Sequence, residues 1–455
     1  MIDAYEEFLA TKVPRAQQVG IAPIRFPDHL FGFQKRVLEF LLRRGRASAF
    51  LETGFGKSCI QLEWCEQTRL ASNGRALLIT PLSVAEQMLG EAQRFGYPAR
   101  VITEQNQAIQ GINICNYDRL HLLDPKAFGA VSLDESSILK ALDGKTAKAL
   151  ISSFADTRFR LCATATPAPN DYRELGNHAE FLGIMSTSEM MTRWFINDSN
   201  DTKTWKLKGY AIKAFWDWVA TWAIALYGPE DLGDEGAQFV LPELKVIKHK
   251  VSGDTRKPLD GLFAQDVSAT TIHTIKRQTA DARAEAAAKT VLAEAGPWLL
   301  WCDTDYEADA IHAALPGCGE YRGSMSREKK RAAVVAFLDQ SVPVLIGKPS
   351  SLGFGLNFQH CHNMIHVGRK FSFEEWFQSV RRCWRFGQRH VVSDHLMVAE
   401  GEDQIGRAIE IKQAAFTEMK TAMRAARLRE AGQERKTMLF YEARHKAEMP
   451  KWLTA

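Results

Sequence analysis

At 455 residues the chain is too long for one ordinary core, and its length predicts two or three domains. Charged residues make up 25% and hydrophobic residues 45%, the balance of a soluble globular protein. No uninterrupted apolar run reaches the length of a membrane span: the stretch from Tyr210 to Tyr227 comes nearest, and Lys213 and Asp217 interrupt it. The net charge of +4, from 58 basic and 54 acidic residues, is too mild to argue for a nucleic-acid partner by itself. Eight scattered cysteines without a C-x-x-C pair predict reduced thiols in a cytoplasmic protein, and His360-Cys361-His362 reads as a loop rather than a ligand set. The first residues lack the basic and apolar regions of a secretory signal.

In chain order, residues 1 to 30 read as an irregular lead-in, followed by a helix from Phe31 in which apolar positions recur at helical spacing. Gln34, near its start, carries an amide able to read both the donor and the acceptor of adenine; the bland alternative is a surface glutamine. Ala47 to Leu51 predicts a short buried strand and Cys59 to Leu70 a helix, so a glycine-bearing turn, Glu52-Thr53-Gly54-Phe55-Gly56-Lys57-Ser58, falls at a helix N-terminus. Unpaired backbone N–H groups and the helix dipole favour a triphosphate there. Gly54 and Gly56 admit the phosphates, Lys57 supplies a point charge, and the Ser58 hydroxyl can hold Mg²⁺. The strict G-x-x-x-x-G-K-[ST] pattern wants glycine where this chain has Leu51.

Strands follow at Ala76 to Pro81, Arg100 to Ile102 and Ile112 to Tyr117, with a helix over Glu86 to Phe95, and this alternation predicts a doubly wound parallel sheet. Ala130 to Leu133 reads as a strand ending in Asp134-Glu135, where Asp134 can hold a Mg²⁺-bound water and Glu135 can polarise the attacking water. Taken alone, such a pair is more often a solvated strand end. Phe159 to Pro167 is a further strand, ending in Thr164 and Thr166. From Ser186 to Leu241 the rhythm stops and tryptophans accumulate at Trp194, Trp205, Trp216, Trp218 and Trp222. A helical insertion packed on the first domain is the favoured reading, with base stacking as the alternative and Lys203, Lys206 and Lys208 as candidate phosphate contacts. After a strand at Glu243 to His249 and a long helix from Ile272 to Ala295, a second α/β series begins at Pro297. It has no phosphate loop of its own. It carries Gly353 to Phe358 and then Gln378-Ser379-Val380-Arg381-Arg382-Cys383-Trp384-Arg385-Phe386-Gly387-Gln388. Arg382 and Arg385, three apart, would project from one helix face as guanidinium forks suited to a γ-phosphate; an exposed basic helix is the bland alternative. The tail from Asp403 is helical, and its basic stretch of Arg424, Arg427, Arg429, Arg435 and Lys436 either binds nucleic acid or packs across a lobe.

In combination and in order, these motifs resemble those of the superfamily-2 helicases, in particular the Swi/Snf-type translocase branch, from about Phe31 to Gln388. Gln34 stands at the adenine-reading position, and Thr53 to Ser58 resemble the phosphate loop. Asp134-Glu135-Ser136-Ser137 resembles the acidic motif, with Ser137 where histidine is usual, and Thr164-Ala165-Thr166-Pro167 the third motif. Gly353 to Phe358 is similar to the fifth motif, which places Gly355 against the nucleotide. Gln378, Arg382 and Arg385 match the sixth, with Arg381 where aspartate or glycine is usual. The resemblance implies nucleic-acid contacts at Pro81, Asn116, Tyr117, Gly323, Ser324 and Ser351.

The expectation is therefore an α/β fold of two RecA-like parallel-sheet lobes with a helical insertion and a helical tail. The spans are 1–185 for the ATP-binding lobe, 186–241 for the Trp-rich insertion, 242–402 for the second lobe and 403–455 for the tail. Catalysis falls to Lys57, Asp134, Glu135, Gln378, Arg382 and Arg385, and metal binding to Ser58 and Asp134. ATP and Mg²⁺ are the expected cofactors. Duplex DNA is the expected partner of a monomeric, compact bacterial or bacteriophage-like translocase, and the two arginines reach the nucleotide on cleft closure. A strand-separating DNA or RNA helicase, a non-hydrolysing binding subunit, and a motor for a separate nuclease or methyltransferase remain open alternatives.

Overall fold

Short apolar runs that end in polar turns recur along the chain, and each that becomes a central strand is buried on both faces, as a parallel sheet covered by helices requires. The computed structural model describes residues 17–141, 144–198, 201–252, 269–352, 356–400 and 402–444. In the first half, α1 (Gly32–Arg44) leads into β1 (Arg46–Leu51) and α2 (Lys57–Leu70). Next come β2 (Arg75–Thr80), α3 (Ala85–Arg94), β3 (Ala99–Val101), β4 (Gly111–Asn116), β5 (Ala130–Asp134), α4 (Lys145–Ser153), β6 (Phe159–Thr164) and α5 (Leu175–Leu182). Alternate residues of these strands enter two cores: Phe50, Leu77, Ile79, Val131 and Leu133 face one helical layer, and Ala49, Leu51, Leu78, Ile112 and Ile114 the other.

The Trp-rich segment is only partly a helical insertion. It begins as α6 (Thr187–Trp194), capped by the Ser186 hydroxyl accepting from the Glu189 N–H, and continues into an antiparallel hairpin of β7 (Phe195–Asp198) and β8 (Asp201–Leu207). After α7 (Ile212–Trp222), the four residues Ala223–Leu226 form β9, which pairs with β1 and completes a seven-stranded parallel sheet of order β3-β4-β2-β5-β6-β1-β9. The tryptophans serve the core: Trp218 and Trp222 are fully buried, and Trp194 lies against Trp218 with ring centroids 4.5 Å apart.

The second half opens with β10 (Leu244–Val251), α8 (Ala269–Gln278) and α9 (Ala280–Ala293). It continues through β11 (Trp298–Trp301), α10 (Asp305–Ala314), β12 (Gly319–Tyr321), α11 (Arg327–Leu338), β13 (Val344–Gly347), α12 (Pro349–Leu352), β14 (Asn363–His366), α13 (Phe373–Val380) and β15 (Val392–Ala399). These strands form a six-stranded parallel sheet of order β10-β15-β14-β11-β13-β12. Leu299, Leu345 and Met364 face one layer, and Leu300, Ile346 and Ile365 the other. A 42-residue helix, α14 (Asp403–Arg444), follows and crosses to the first lobe. There Arg424 and Arg427 pair with Asp231, and Arg429 with Asp217. Of the two readings of the basic tail, these three arginines follow packing across a lobe; the side chains of Arg435 and Lys436 lie outside the described residues. No helix among the described residues is long and apolar enough to cross a membrane.

Candidate nucleotide site between the lobes

The carboxyl ends of β1, β5 and β6 lie side by side, with Phe50 level with Thr164 and Asp134 level with Ala163. Everything the first lobe contributes projects from those ends. The loop from Glu52 to Gly56 turns β1 into α2, with Gly54 at φ +94° and Gly56 at φ +76°, left-handed positions where side chains are strained. Space forbids side chains there as well: a Cβ on Gly56 would lie 2.2 Å from Gln34 Nε2, and one on Gly54 2.9 Å from the Phe386 Cβ. Leu51 needs no glycine, because its carbonyl points into the loop and accepts from Lys57 Nζ at 3.0 Å. Burial lowers the Lys57 pKa, against Glu135, Glu52 and Asp134, which raise it. Phe55 is buried against Phe33 and Phe239, and Thr53 donates its N–H to Glu52 Oε1 at 2.9 Å.

Asp134 is fixed rather than mobile. Gln61 Nε2 donates to its Oδ1 at 2.9 Å and Thr80 Oγ1 to its Oδ2 at 3.0 Å, and Ser132 Oγ in turn donates to Gln61 at 2.8 Å. Glu135 adopts a left-handed backbone, φ +50°, rare outside glycine and costly wherever it persists. Its carboxyl is pushed up to about 7, chiefly by burial, with Asp134 adding to the shift and Lys57 and Arg382 opposing it. Thr164 Oγ1 donates to Glu135 at 3.4 Å and holds the Thr166 N–H at 3.1 Å, so the third motif does meet the acidic one. Ser58 lies beside Glu91 on α3, whose carboxyl pKa is raised by burial. Gln34 spends its amide on the chain, donating to the Phe55 carbonyl at 3.1 Å and accepting from the Phe31 N–H at 3.0 Å.

Arg382 and Arg385 do not share a helix face. Helix α13 stops at Val380, and residues 381 to 388 run as successive tight turns, with Trp384 N–H bonding back to the Val380 carbonyl and Arg385 N–H to Cys383. Phe386 forces this course by stacking on Phe239 of the first lobe at 4.5 Å. The turn delivers both arginines to the cleft all the same. Arg382 is buried, and its pKa falls to about 10 through burial and the neighbouring Arg385, with Glu135 and Asp134 opposing. Its guanidinium donates to the Leu356 carbonyl at 3.0 Å and to Gln378 Oε1 at 2.9 Å. Burial lowers the Arg385 pKa against an opposing Glu91, Arg385 lies close enough to depress Lys57, and among the described residues its guanidinium has no hydrogen bond or salt bridge. The lobes meet here through Arg381 and Glu52, Lys140 and Glu374, and Phe386 and Phe239. Lys140 pairs with Glu374 on α13, which also accepts from Thr166. Ser137 is buried, and Lys140, three residues on, provides the acidic segment's contact across the cleft.

The chemistry of the cleft fits a nucleoside triphosphate with its cation. Gln378 Nε2 is buried with no partner among the described residues, the Arg385 guanidinium is free in the cleft, and the glycine loop opposes them. Among the described residues no group of three or more His, Cys, Asp or Glu is arranged to hold a metal alone, so Ser58 and Asp134 would hold Mg²⁺ only together with phosphate and water. Gly355 lies outside the described residues.

The six residues assigned to nucleic acid are less uniform. Gly323 and Ser324 are exposed after β12, Ser351 is half-buried in α12, and Pro81 follows β2. Asn116 accepts from the Arg119 N–H, and the Tyr117 hydroxyl donates to the Asp134 carbonyl at 2.6 Å, which ties that ring to the nucleotide side. Sequence reasoning missed Glu91, Glu52 as an ionic centre, and Lys420; Glu91 and Lys420 are single charges on helices that no motif singles out, and the ionic partners of Glu52 lie far away in the chain.

No protein-family model matches the chain, and no curated protein does. Solved structures similar to it include two from one archaeon. One is the Sulfolobus solfataricus SWI2/SNF2 ATPase core in complex with dsDNA, at 16% identity and a TM-score of 0.42, covering 89% of this chain and 95% of that one. The other is the Sulfolobus solfataricus SWI2/SNF2 ATPase core domain, at 17% identity and a TM-score of 0.42, covering 89% and 94%. Superposition at that score carries no functional reading, which stands on the residues.

Proposed function

We propose that the chain is an ATP-dependent translocase on duplex DNA that hydrolyses ATP between its lobes. One observation carries this reading: Lys57, Asp134 and Glu135 converge on the same cleft as Gln378, Arg382 and Arg385. Bound there, ATP supplies the phosphoryl group to be transferred to water, and Mg²⁺ supplies charge to its oxygens. Gly54, Gly56, Lys57 and Ser58 would bind the phosphates through backbone N–H groups, those of Thr53 and Phe55 being taken by Glu52, and Lys57 adds its ammonium. Ser58 and Asp134 would hold the cation, and Gln34 would read the base only by giving up its present bonds to Phe55 and Phe31. Glu135 accepts the proton of the attacking water, for which an apparent pKa near neutrality suits it. Gln378 orients that water, while Arg385 and Arg382 neutralise charge developing on the γ-phosphoryl oxygens.

Because both lobes meet that charge, each turnover opens and closes them, and surfaces at Pro81, Asn116 and Tyr117 on one lobe and Gly323, Ser324 and Ser351 on the other move relative to each other. Phosphate contacts of this kind give little sequence specificity and strong salt dependence. The preference for a duplex rests on the resemblance of the motif set to the Swi/Snf branch. The test is ATP hydrolysis by the full chain with duplex DNA, single-stranded DNA and RNA side by side. The largest stimulation is expected from the duplex; stimulation by RNA alone, or a rate indifferent to all three, overturns the reading.

A further inference from the structure

Glu52 occupies the last position before the glycine loop, is buried, and receives contacts from three separate parts of the chain. Its Oε1 accepts from the Thr53 N–H at 2.9 Å, and its Oε2 pairs with Arg381 Nη2 at 2.9 Å and with Lys420 Nζ at 3.1 Å. Arg381 immediately precedes Arg382 in the arginine turn of the second lobe, and its guanidinium lies 4.2 Å from the Trp384 ring centroid. Lys420 comes from the middle of α14. Its ammonium sits 4.6 Å from the Phe416 ring, 4.9 Å from Tyr227 of the first lobe and 5.6 Å from Phe377 of the second. Despite burial, the carboxyl of Glu52 stays below the usual range, because Arg381 and Lys420 favour its charged form.

A buried carboxylate persists only while it is paired, and both cations that pair this one lie outside the first lobe. Separation of the lobes therefore removes Arg381, and displacement of α14 removes Lys420. The helix is anchored on both sides, through Arg424, Arg427 and Arg429 to the first lobe and through Glu410 to Lys248 of the second.

We propose that Glu52, Arg381 and Lys420 form a charge latch through which the C-terminal helix sets how firmly the arginine turn closes on the glycine loop. Arg381 and Lys420 are positioning residues: they hold the backbone that carries Arg382 and Arg385. The effect on hydrolysis rests on the proposed nucleotide site, but the effect on closure does not.

The test uses the full chain and two variants at Lys420, with Arg381→Met and Lys57→Ala as controls. Lys420→Met keeps a stem of similar length against Tyr227 and Phe416 but removes the charge, and Lys420→Arg restores it. Small-angle X-ray scattering without added nucleotide or DNA is expected to give a larger radius of gyration for K420M than for wild type, and a wild-type value for K420R. In duplex-stimulated hydrolysis, K420M is expected to lose on the order of tenfold in kcat with KM for ATP changed by less than about twofold, since the phosphate loop is untouched. A K420M scattering curve that matches wild type, or a K420R curve as expanded as that of K420M, overturns the latch. Should K420M lose its cooperative thermal melt, Arg381→Met decides by the same scattering: expansion supports the latch and a compact form overturns it. Lys57→Ala is expected to keep the wild-type curve. If that variant still hydrolysed ATP, the nucleotide site would fall while the scattering result stood.

Discussion

Glu135 combines a left-handed backbone with a carboxyl raised to about 7, the latter chiefly by its burial at the end of β5, with Asp134 beside it adding to the shift. As a base it works only when ionised, so kcat/KM for ATP should be low on the acid side and rise with pH to a plateau, with a midpoint near the raised value. A pH profile of duplex-stimulated hydrolysis measures this, and Glu135→Gln should remove both the rate and the acid limb; a flat profile from pH 5 to 8 (the span in which such a group titrates) would contradict the assignment. Lys57→Ala should abolish hydrolysis, as loss of a charge held against phosphate by the loop requires, and wild-type phosphate release by that variant would displace the site. At this scale the glycine loop, the Asp134-Glu135 pair and the two arginines are legible in the sequence, because phosphate chemistry demands particular residue types at fixed spacing. Arg381 could be seen only as a departure from a pattern. Its reason, a pair with Glu52, involves a residue more than three hundred positions away that no local spacing reveals.

Among the elements, α7 shows how packing rather than chemistry uses aromatic residues. Its Trp218 and Trp222 fill the layer over the first sheet, and Trp222 sets its ring edge-on to Phe50 of β1 at 6.1 Å. Trp222→Ala should therefore cost about 3–5 kcal/mol of stability in denaturant unfolding of the first lobe. A loss below about 1 kcal/mol would return the tryptophans to a surface role. The central strands were legible because a parallel sheet buries both faces and leaves continuous apolar runs. Strand β9 was not, since Ala223–Leu226 continues the apolar character of α7 and only pairing with β1 tells strand from helix there. The region read as one long helix divides at Thr279 into α8 and α9, where Arg283 turns inward to pair with Glu307 at 2.9 Å, both fully buried. Arg283→Met, which strands Glu307, should destabilise the second lobe by about 3–5 kcal/mol. The arginine turn departed from helix for a tertiary reason, the stacking of Phe386 on Phe239.

For the whole molecule, a net charge of +4 says little, because Arg424, Arg427 and Arg429 of the tail, which looked available to nucleic acid, are engaged with Asp217, Glu230 and Asp231. Stimulation by duplex DNA should still fall steeply with salt, the logarithm of the binding constant dropping by roughly 0.9 per phosphate contact for each tenfold rise in salt. A titration of activity against duplex at several ionic strengths checks this, and salt-independent stimulation would argue against backbone contacts. That two lobes exist was readable from the recurring α/β rhythm; that they meet through Glu52, Glu374 and Gly54 was not, because such contacts join distant segments. The central proposal is that both lobes build one hydrolytic site. Arg385 tests it most directly, for among the described residues its guanidinium makes no hydrogen bond or salt bridge and feels Glu91 only at longer range, so its removal breaks no structural bond. In duplex-stimulated phosphate release, Arg385→Ala should lower kcat by roughly 10³-fold while KM for ATP changes by no more than about threefold. Hydrolysis by Arg385→Ala at the wild-type rate would mean that the second lobe contributes nothing to the chemistry.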